Sequence, residues 1–216
     1  MFQIYNATYS VSCPLSASRR PKCYTRVMRN AIIQHGYTGK KEYYNEESAS
    51  SSNSHWLPWL QKQLMIHEFK ADTPEIPHPF EFNYDTWVKE VERFEITPET
   101  TLVGHSMGGG FWIRYLSEHP EVFVDQVVLV APWLNPAHEK ATDFMDFALD
   151  PLITDRANKF VIFASDDDSL EIQNSISLLR EKLPHATFKE FQNYGHFTLK
   201  SMGTTAFPEL LEAIIA

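Results

Sequence analysis

Cysteine is scarce in this chain: only Cys13 and Cys23 occur, and both lie near the N-terminus. A disulfide framework needs more pairs, and no Cys and His residues show the spacing of a zinc site. The sequence therefore predicts a domain that folds without disulfides and without a bound metal. With 216 residues, the chain is long enough to bury a sizeable hydrophobic core unaided.

The chain also has few positively charged residues and lacks long apolar runs. The chain has 19 Lys and Arg against 28 Asp and Glu, a net charge of −9 at pH 7. Because phosphate backbones attract positive charge, we expect no nucleic-acid partner. No apolar run has the length of a transmembrane helix, and residues 1–20 lack the continuous apolar core of a signal peptide. We therefore expect no membrane partner and a cytoplasmic location.

The first 27 residues differ from the rest of the chain. They are polar, include a basic cluster at residues 19–22, and show no useful helical or strand periodicity. We predict that residues 1–27 are an extension outside the core and that one domain spans residues 28–216. The alternative is an edge strand at residues 3–9, where apolar and polar residues alternate.

Beyond this extension, strand-like and helix-like segments alternate. Short apolar runs predict strands at residues 31–34, 68–71, 100–104, 127–131, 160–164 and 187–191. Apolar residues at helical spacing predict helices at residues 54–66, 84–94, 107–117, 170–183 and 208–215. Residues 38–54 are rich in Ser, Asn and Glu and predict a loop. This order predicts an α/β fold, a three-layer sandwich with a mostly parallel central sheet flanked by helices.

The most informative stretch is Gly104-His105-Ser106-Met107-Gly108. It follows an apolar strand and precedes a helical pattern, the setting in which a Gly-x-Ser-x-Gly turn exposes a nucleophilic serine. The flanking glycines permit a sharp turn, and the helix N-terminus directs backbone N–H groups at a developing oxyanion. We therefore predict that Ser106 is a catalytic nucleophile. The alternatives are a serine that caps the helix and a phosphate-binding turn, although the Gly-Lys-Ser/Thr ending of the latter is missing.

A serine nucleophile needs a base, and histidine is the usual one. His196 follows the last predicted strand and fits the Ser, Asp, His chain order. The acid should lie between them, and Asp166, Asp167 and Asp168 follow the preceding strand. One of them would fix the imidazole tautomer, but spacing does not choose among the three. The alternatives are an ordinary loop histidine and a solvated acidic loop that caps the next helix.

These pieces resemble the α/β-hydrolase superfamily, and within it the small serine hydrolases of the retinoblastoma-binding protein 9 type. The resemblance covers residues 29–215 and depends on four motifs: Ile32-Ile33-Gln34-His35-Gly36-Tyr37, Gly104-His105-Ser106-Met107-Gly108, Phe163-Ala164-Ser165-Asp166-Asp167-Asp168 and Tyr194-Gly195-His196-Phe197. It implies that Asp168 is the acid, with Asp167 as second choice. It also implies that the backbone N–H groups of Tyr37 and Met107 form an oxyanion hole.

The chain departs from this family in two places. It inserts a polar loop at residues 40–54, and Ser169 replaces the usual proline after the catalytic aspartate. Both departures leave substrate preference open. The segment between Trp133 and Lys159 contains four apolar side chains that predict either short helices shaping an acyl pocket or plain core. They are Phe144, Met145, Phe147 and Leu149.

The function implied is hydrolysis of a small carboxylic ester through an acyl-enzyme, with no cofactor. We expect a small-molecule ester or amide as the substrate. Two alternatives remain open at this stage. An amidase or aminopeptidase-like hydrolase would keep the same three residues, and a protein-interaction module would use the hydrolase scaffold without catalysis.

Overall fold

The computed structural model of the chain describes residues 29–216. The predicted N-terminal extension at residues 1–27 and the alternative edge strand at residues 3–9 lie outside the described residues. Among residues 29–216, no helix combines the length and the hydropathy that crossing a bilayer requires.

The core of the fold is a six-stranded sheet in which every neighbouring pair is parallel. The strands are β1 (Asn30–Gln34), β2 (Lys70–Asp72), β3 (Thr100–His105), β4 (Val124–Val130), β5 (Ala157–Ser165) and β6 (Thr187–Phe191). Their order across the sheet is β2-β1-β3-β4-β5-β6. Because parallel strands end at the same edge, the segments that follow them are brought together there.

Seven α-helices occur within residues 29–216. They are α1 (Lys40–Tyr43), α2 (Leu57–Ile66), α3 (Tyr84–Val91), α4 (Met107–Glu118), α5 (Leu170–Lys182), α6 (Leu199–Met202) and α7 (Pro208–Ile215). Helix α2 packs against α7, and α3 packs against α4, which contacts β3. The predicted fold class, a parallel sheet flanked by helices, is confirmed.

The centre of the sheet is covered on both faces. All six residues of β3 are buried, and residues 127–130 of β4 form an apolar run with no exposed surface. This pattern is typical of a parallel sheet between two helix layers. On α4, Phe111 and Trp112 are also fully buried, and each contributes roughly 1.5–3 kcal/mol to folding through removal from water.

Residues 38–54, which we predicted as a loop, are more ordered than their composition suggests. They contain α1 and a short 3-10 helix at Ser51–Asn53. The order comes from a distant residue: the carboxylate of Glu75 accepts hydrogen bonds from the backbone N–H groups of Ser51, at 3.2 Å, and Ser52, at 2.7 Å. A carboxylate that accepts two backbone N–H bonds fixes a turn that polar composition alone would leave open.

The four apolar side chains of the segment between Trp133 and Lys159 pack in or against the core. Phe144 is fully buried and packs edge-on against Trp87. Arg114 on α4 fastens the segment by donating to the carbonyl oxygens of residues 143 and 144. Its one helix is a 3-10 helix at Pro151–Arg156. Lys140 of this segment lines the cavity beside Ser106, but none of the four apolar side chains does, so the prediction that they shape an acyl pocket is wrong.

Candidate active site

Ser106 occupies the sharp turn between β3 and α4. Its backbone has φ 53° and ψ −121°, a conformation that is strained for a residue with a side chain. Hydrogen bonds hold the turn on both sides: the Ser106 N–H donates to the Val130 carbonyl at 2.9 Å, and the Trp133 N–H donates to the Ser106 carbonyl at 3.0 Å. The strain is thus imposed by the neighbouring strand and the loop that follows it.

Two glycines of the motif are required by the space around the turn. A Cβ atom on Gly104 would lie 2.6 Å from the Gly108 carbonyl oxygen, and one on Gly108 would lie 2.3 Å from the His35 carbonyl oxygen. Both obstacles are backbone atoms, which cannot move aside as a flexible side chain could. The close approach also brings the segment after β1 against Ser106, because a Cβ atom on Gly36 would lie 2.9 Å from the Ser106 Cβ.

Three of the predicted site residues form one chain of hydrogen bonds. The Ser106 Oγ lies 2.9 Å from His196 Nε2, and His196 Nδ1 lies 2.9 Å from Asp168 Oδ2. A carboxylate only accepts hydrogen bonds, so Nδ1 carries the imidazole proton and Nε2 accepts from the serine hydroxyl. The Asp168 side chain is 2% exposed and that of His196 is 31% exposed. The base therefore faces solvent while its carboxylate partner is enclosed.

The other two aspartates of the run hold the neighbouring loop instead. Asp167 Oδ1 accepts from the Ser165 hydroxyl at 2.7 Å and from the Gly195 N–H at 2.8 Å. These two bonds lower the pKa of Asp167. Asp166 Oδ1 accepts from the Asn193 N–H at 3.0 Å. The carboxylates of Asp166 and Asp167 thus anchor the segment that carries His196. Sequence spacing alone could not tell this role from that of Asp168, which contacts the imidazole ring.

The predicted oxyanion donors lie beside the serine. Tyr37 and Met107 both line the cavity that Ser106 borders. Across residues 29–216, no acceptor pairs with the backbone N–H of either residue. Two free N–H groups next to a nucleophile are what a developing oxyanion requires.

Comparison with known proteins places the chain in a family. Residues 31–215 match the family model described as serine hydrolase. The chain belongs to the serine hydrolase family. Among curated proteins, none matches at a significant level. The predicted membership in the α/β-hydrolase superfamily is confirmed, while the narrower resemblance to the retinoblastoma-binding protein 9 type stays a prediction.

Solved structures similar to this serine hydrolase agree in fold. The ydeN gene product from B. subtilis is 24% identical, with a TM-score of 0.70 over 86% of this chain and 96% of that one. Est1E from Butyrivibrio proteoclasticus is 13% identical, with a TM-score of 0.55 over 91% and 92%. The 2-hydroxy-6-oxo-6-phenylhexa-2,4-dienoate hydrolase from Rhodococcus sp. strain RHA1 is 15% identical, with a TM-score of 0.57 over 87% and 91%.

Two buried histidines of this serine hydrolase support the site, a role that the sequence did not predict for either. His35 Nε2 accepts from the Ile76 N–H at 2.9 Å, so Nδ1 carries the proton and donates to the Gly36 carbonyl at 2.7 Å. His105 Nε2 lies 2.9 Å from the His196 carbonyl oxygen. Burial lowers the pKa of both rings. The only available signal was their position at the ends of buried strands.

Ser106 borders two pockets, one with an apolar lining and one with a polar lining. We call the first the apolar cavity; its volume is about 410 Å³, and its apolar lining consists of Tyr37, Phe82, Met107, Trp133 and Ile172. Lys140 and Glu171 also line it, and their charged groups lie 3.7 Å apart. The other, which we call the polar chamber, has a volume of about 130 Å³ and is lined by Thr38, Glu42, Ser54, His55, His105 and Thr198. Ser106 and His196 border both.

Within the described residues, no three His, Cys, Asp or Glu side chains cluster in a way that could hold a metal ion.

Proposed function

We propose that this serine hydrolase cleaves small carboxylic esters, with Ser106 as nucleophile, His196 as general base and acid, and Asp168 as the orienting carboxylate. The observation that supports this most strongly is the hydrogen-bonded chain from the Ser106 hydroxyl through the imidazole to the Asp168 carboxylate. A serine hydroxyl becomes a useful nucleophile only when a base within hydrogen-bond reach takes its proton.

In the first half of the reaction, Ser106 Oγ attacks the ester carbonyl as His196 Nε2 accepts the hydroxyl proton. The N–H groups of Tyr37 and Met107 bind the oxyanion, and the Asp168 carboxylate stabilises the imidazolium. His196 then donates the proton to the departing alcohol oxygen, the bond from carbonyl carbon to that oxygen breaks, and an acyl-serine remains.

In the second half, a water molecule takes the place of the alcohol. His196 Nε2 accepts a proton from it, the water oxygen attacks the acyl carbonyl, and the proton returns to Ser106 Oγ as the acid leaves. Each step uses only side chains and backbone groups of this chain.

The apolar cavity suits the acyl group of the ester. Its lining is largely aromatic and aliphatic, and its volume of about 410 Å³ falls at the small end of the range for ligand pockets. We therefore expect short and medium acyl chains to react fastest. Glu171 could favour amine-bearing substrates, but it lies 3.7 Å from Lys140, whose charge offsets its own. This pairing argues against the aminopeptidase-like alternative, which would need a free carboxylate for the amine of its substrate.

The test is turnover of p-nitrophenyl esters of increasing acyl length, with an anilide of the same acid for comparison. We expect turnover to fall once the acyl chain outgrows the cavity, and Ser106→Ala to abolish it. Ser177→Ala, a change of an exposed serine on α5, is the matched control. Faster cleavage of the anilide would favour the amidase alternative. No turnover of any substrate would favour the interaction module.

A further inference from the structure

The polar chamber is a small, partly open space beside Ser106, separate from the apolar cavity. Its volume of about 130 Å³ is about a third of that of the apolar cavity. Its lining combines hydroxyl, imidazole and carboxylate groups from Thr38, Ser54, His55 and Glu42. It therefore offers hydrogen bonds where the apolar cavity offers contact area.

Part of the chamber wall comes from the segment that the family resemblance did not account for, residues 40–54, which contributes Glu42, Ser51 and Ser54. The Thr38 and Ser51 hydroxyls are hydrogen-bonded at 2.7 Å. The Glu75 carboxylate accepts hydrogen bonds from the backbone N–H groups of Ser51 and Ser52. These bonds fix the segment before any ligand arrives, and fixed walls lose less entropy on binding than mobile ones.

His55 is the most specific group in this wall. Its backbone has φ 57°, a left-handed conformation that is uncommon for a residue with a side chain. Its Nδ1 accepts from the Leu199 N–H at 3.3 Å, so the proton is on Nε2. Within residues 29–216, no acceptor pairs with Nε2. Burial outweighs the opposing charge of Glu42 and lowers the pKa of His55, which keeps the ring neutral.

The proton path decides which part of the substrate enters the chamber. His196 Nε2 gives its proton to the leaving alcohol and later takes one from water, so both must occupy the same position beside the imidazole. Water needs hydrogen-bond partners, and the polar chamber supplies them, whereas the apolar cavity suits a hydrocarbon chain. The leaving group therefore belongs on the polar side.

We infer that the polar chamber binds the leaving alcohol and selects a small, polyhydroxylated one, of the size and chemistry of glycerol. The inference rests on the proposed ester hydrolysis. His55 Nε2–H donates to one free hydroxyl of the alcohol, and the Glu42 carboxylate accepts from another. The carbonyl-to-alcohol bond breaks, the proton from Ser106 reaches the alcohol oxygen through His196, and the polyol leaves through the chamber.

The experiment compares two butyrate esters that share the acyl group and differ in the alcohol: glycerol monobutyrate and pentyl butyrate, whose alcohols are similar in size. We expect kcat/KM to be about tenfold higher for the glycerol ester, because two net hydrogen bonds of ordinary strength give a factor of that order. Glu42→Gln and His55→Phe should each reduce this preference about threefold or more, through the glycerol ester alone. Glu46→Gln, on the same segment but outside the chamber lining, is the matched control.

Equal kcat/KM for the two esters, or a preference that both variants leave intact, would overturn the inference while the proposed function stands. A still higher value for choline butyrate would overturn the choice of a polyol and favour a cationic alcohol. If neither ester reacts and a fluorophosphonate fails to label Ser106, the proposed function and the inference fail together. Because Glu42 lies on the exposed helix α1, Glu42→Gln keeps the test decisive if His55→Phe does not fold.

Discussion

Asp167 Oδ1 accepts a hydrogen bond from the backbone N–H of Gly195, the residue before His196, at 2.8 Å. The neighbouring Asp168 reaches the imidazole itself. Two adjacent carboxylates therefore serve the same histidine in different ways, one through the backbone and the other through the ring.

This division predicts different costs for the same substitution at the two positions. Asp168→Asn removes the charge that stabilises the imidazolium and should lower kcat roughly 10⁴-fold. Asp167→Asn keeps an oxygen acceptor for Gly195 and should lower kcat less than about tenfold. Steady-state kinetics on one ester, with circular dichroism to verify folding, measures both. A larger loss from Asp167→Asn would reverse the assignment of the acid.

A second prediction concerns the pH dependence of stability. Burial lowers the pKa of His35 and puts that of His105 well below the ordinary value of 6.5. Below pH 6.5 the unfolded chain therefore binds protons that the folded protein does not, so stability is complete above this pH and falls as pH falls through it. The free energy of unfolding in urea should be lower at about pH 5.5 than at about pH 7.5, two values on either side of the ordinary histidine pKa of about 6.5.

Two variants test whether buried rather than exposed histidines cause this pH dependence of stability. His105→Phe removes one buried titrating group and should flatten the loss of stability between the two pH values. His185→Gln, a change at an exposed position, should leave it as it is. A pH dependence that is the same in wild type and His105→Phe would show that another group is responsible.

The packing around the serine turn gives a third prediction. Gly108→Ala would place a Cβ atom 2.3 Å from the His35 carbonyl oxygen. Overpacking against backbone destabilises by about 1–3 kcal/mol or more, and here it also displaces the turn that carries Ser106. Gly39→Ala has no neighbour closer than 3.8 Å and serves as the control. The melting temperature and the ester turnover should both be lower in Gly108→Ala and unchanged in Gly39→Ala. Equal values for the two variants would contradict the packing described here.

The fourth prediction separates cavity shape from stability. Ile172 lines the apolar cavity, whereas Ile176, one turn later on α5, is buried outside it. Either change to alanine should destabilise the fold by about 2–5 kcal/mol. Only Ile172→Ala enlarges the cavity, so only this variant should move the preferred ester toward longer acyl chains. If the preference stays unchanged, the acyl group binds elsewhere.

Much of the fold was predictable because it depends on local pattern. Residues 127–131 are a continuous apolar run, and the observed strand Val124–Val130 covers most of it. The order of serine, aspartate and histidine followed from chain position, and parallel strands brought the three residues to one edge of the sheet. Choosing Asp168 required the family resemblance, because the contacts of the three aspartates depend on a loop about thirty residues away in sequence.

What was not predictable depends on partners far apart in the chain. The order within residues 38–54 depends on Glu75, which no local pattern connects to Ser51. The core position of Phe144 depends on Trp87, on a helix that precedes it by more than fifty residues. Periodicity describes single elements, and such contacts arise only when elements pack.

The central claim is that Ser106 forms a covalent acyl intermediate, and mass mapping of the labelled residue tests it most directly. The protein is treated with a fluorophosphonate, digested, and the peptide that carries the adduct is sequenced. We expect a single adduct on Ser106 that is absent in Ser106→Ala and present in Ser177→Ala. An adduct on another residue, or labelling that survives Ser106→Ala, would contradict it.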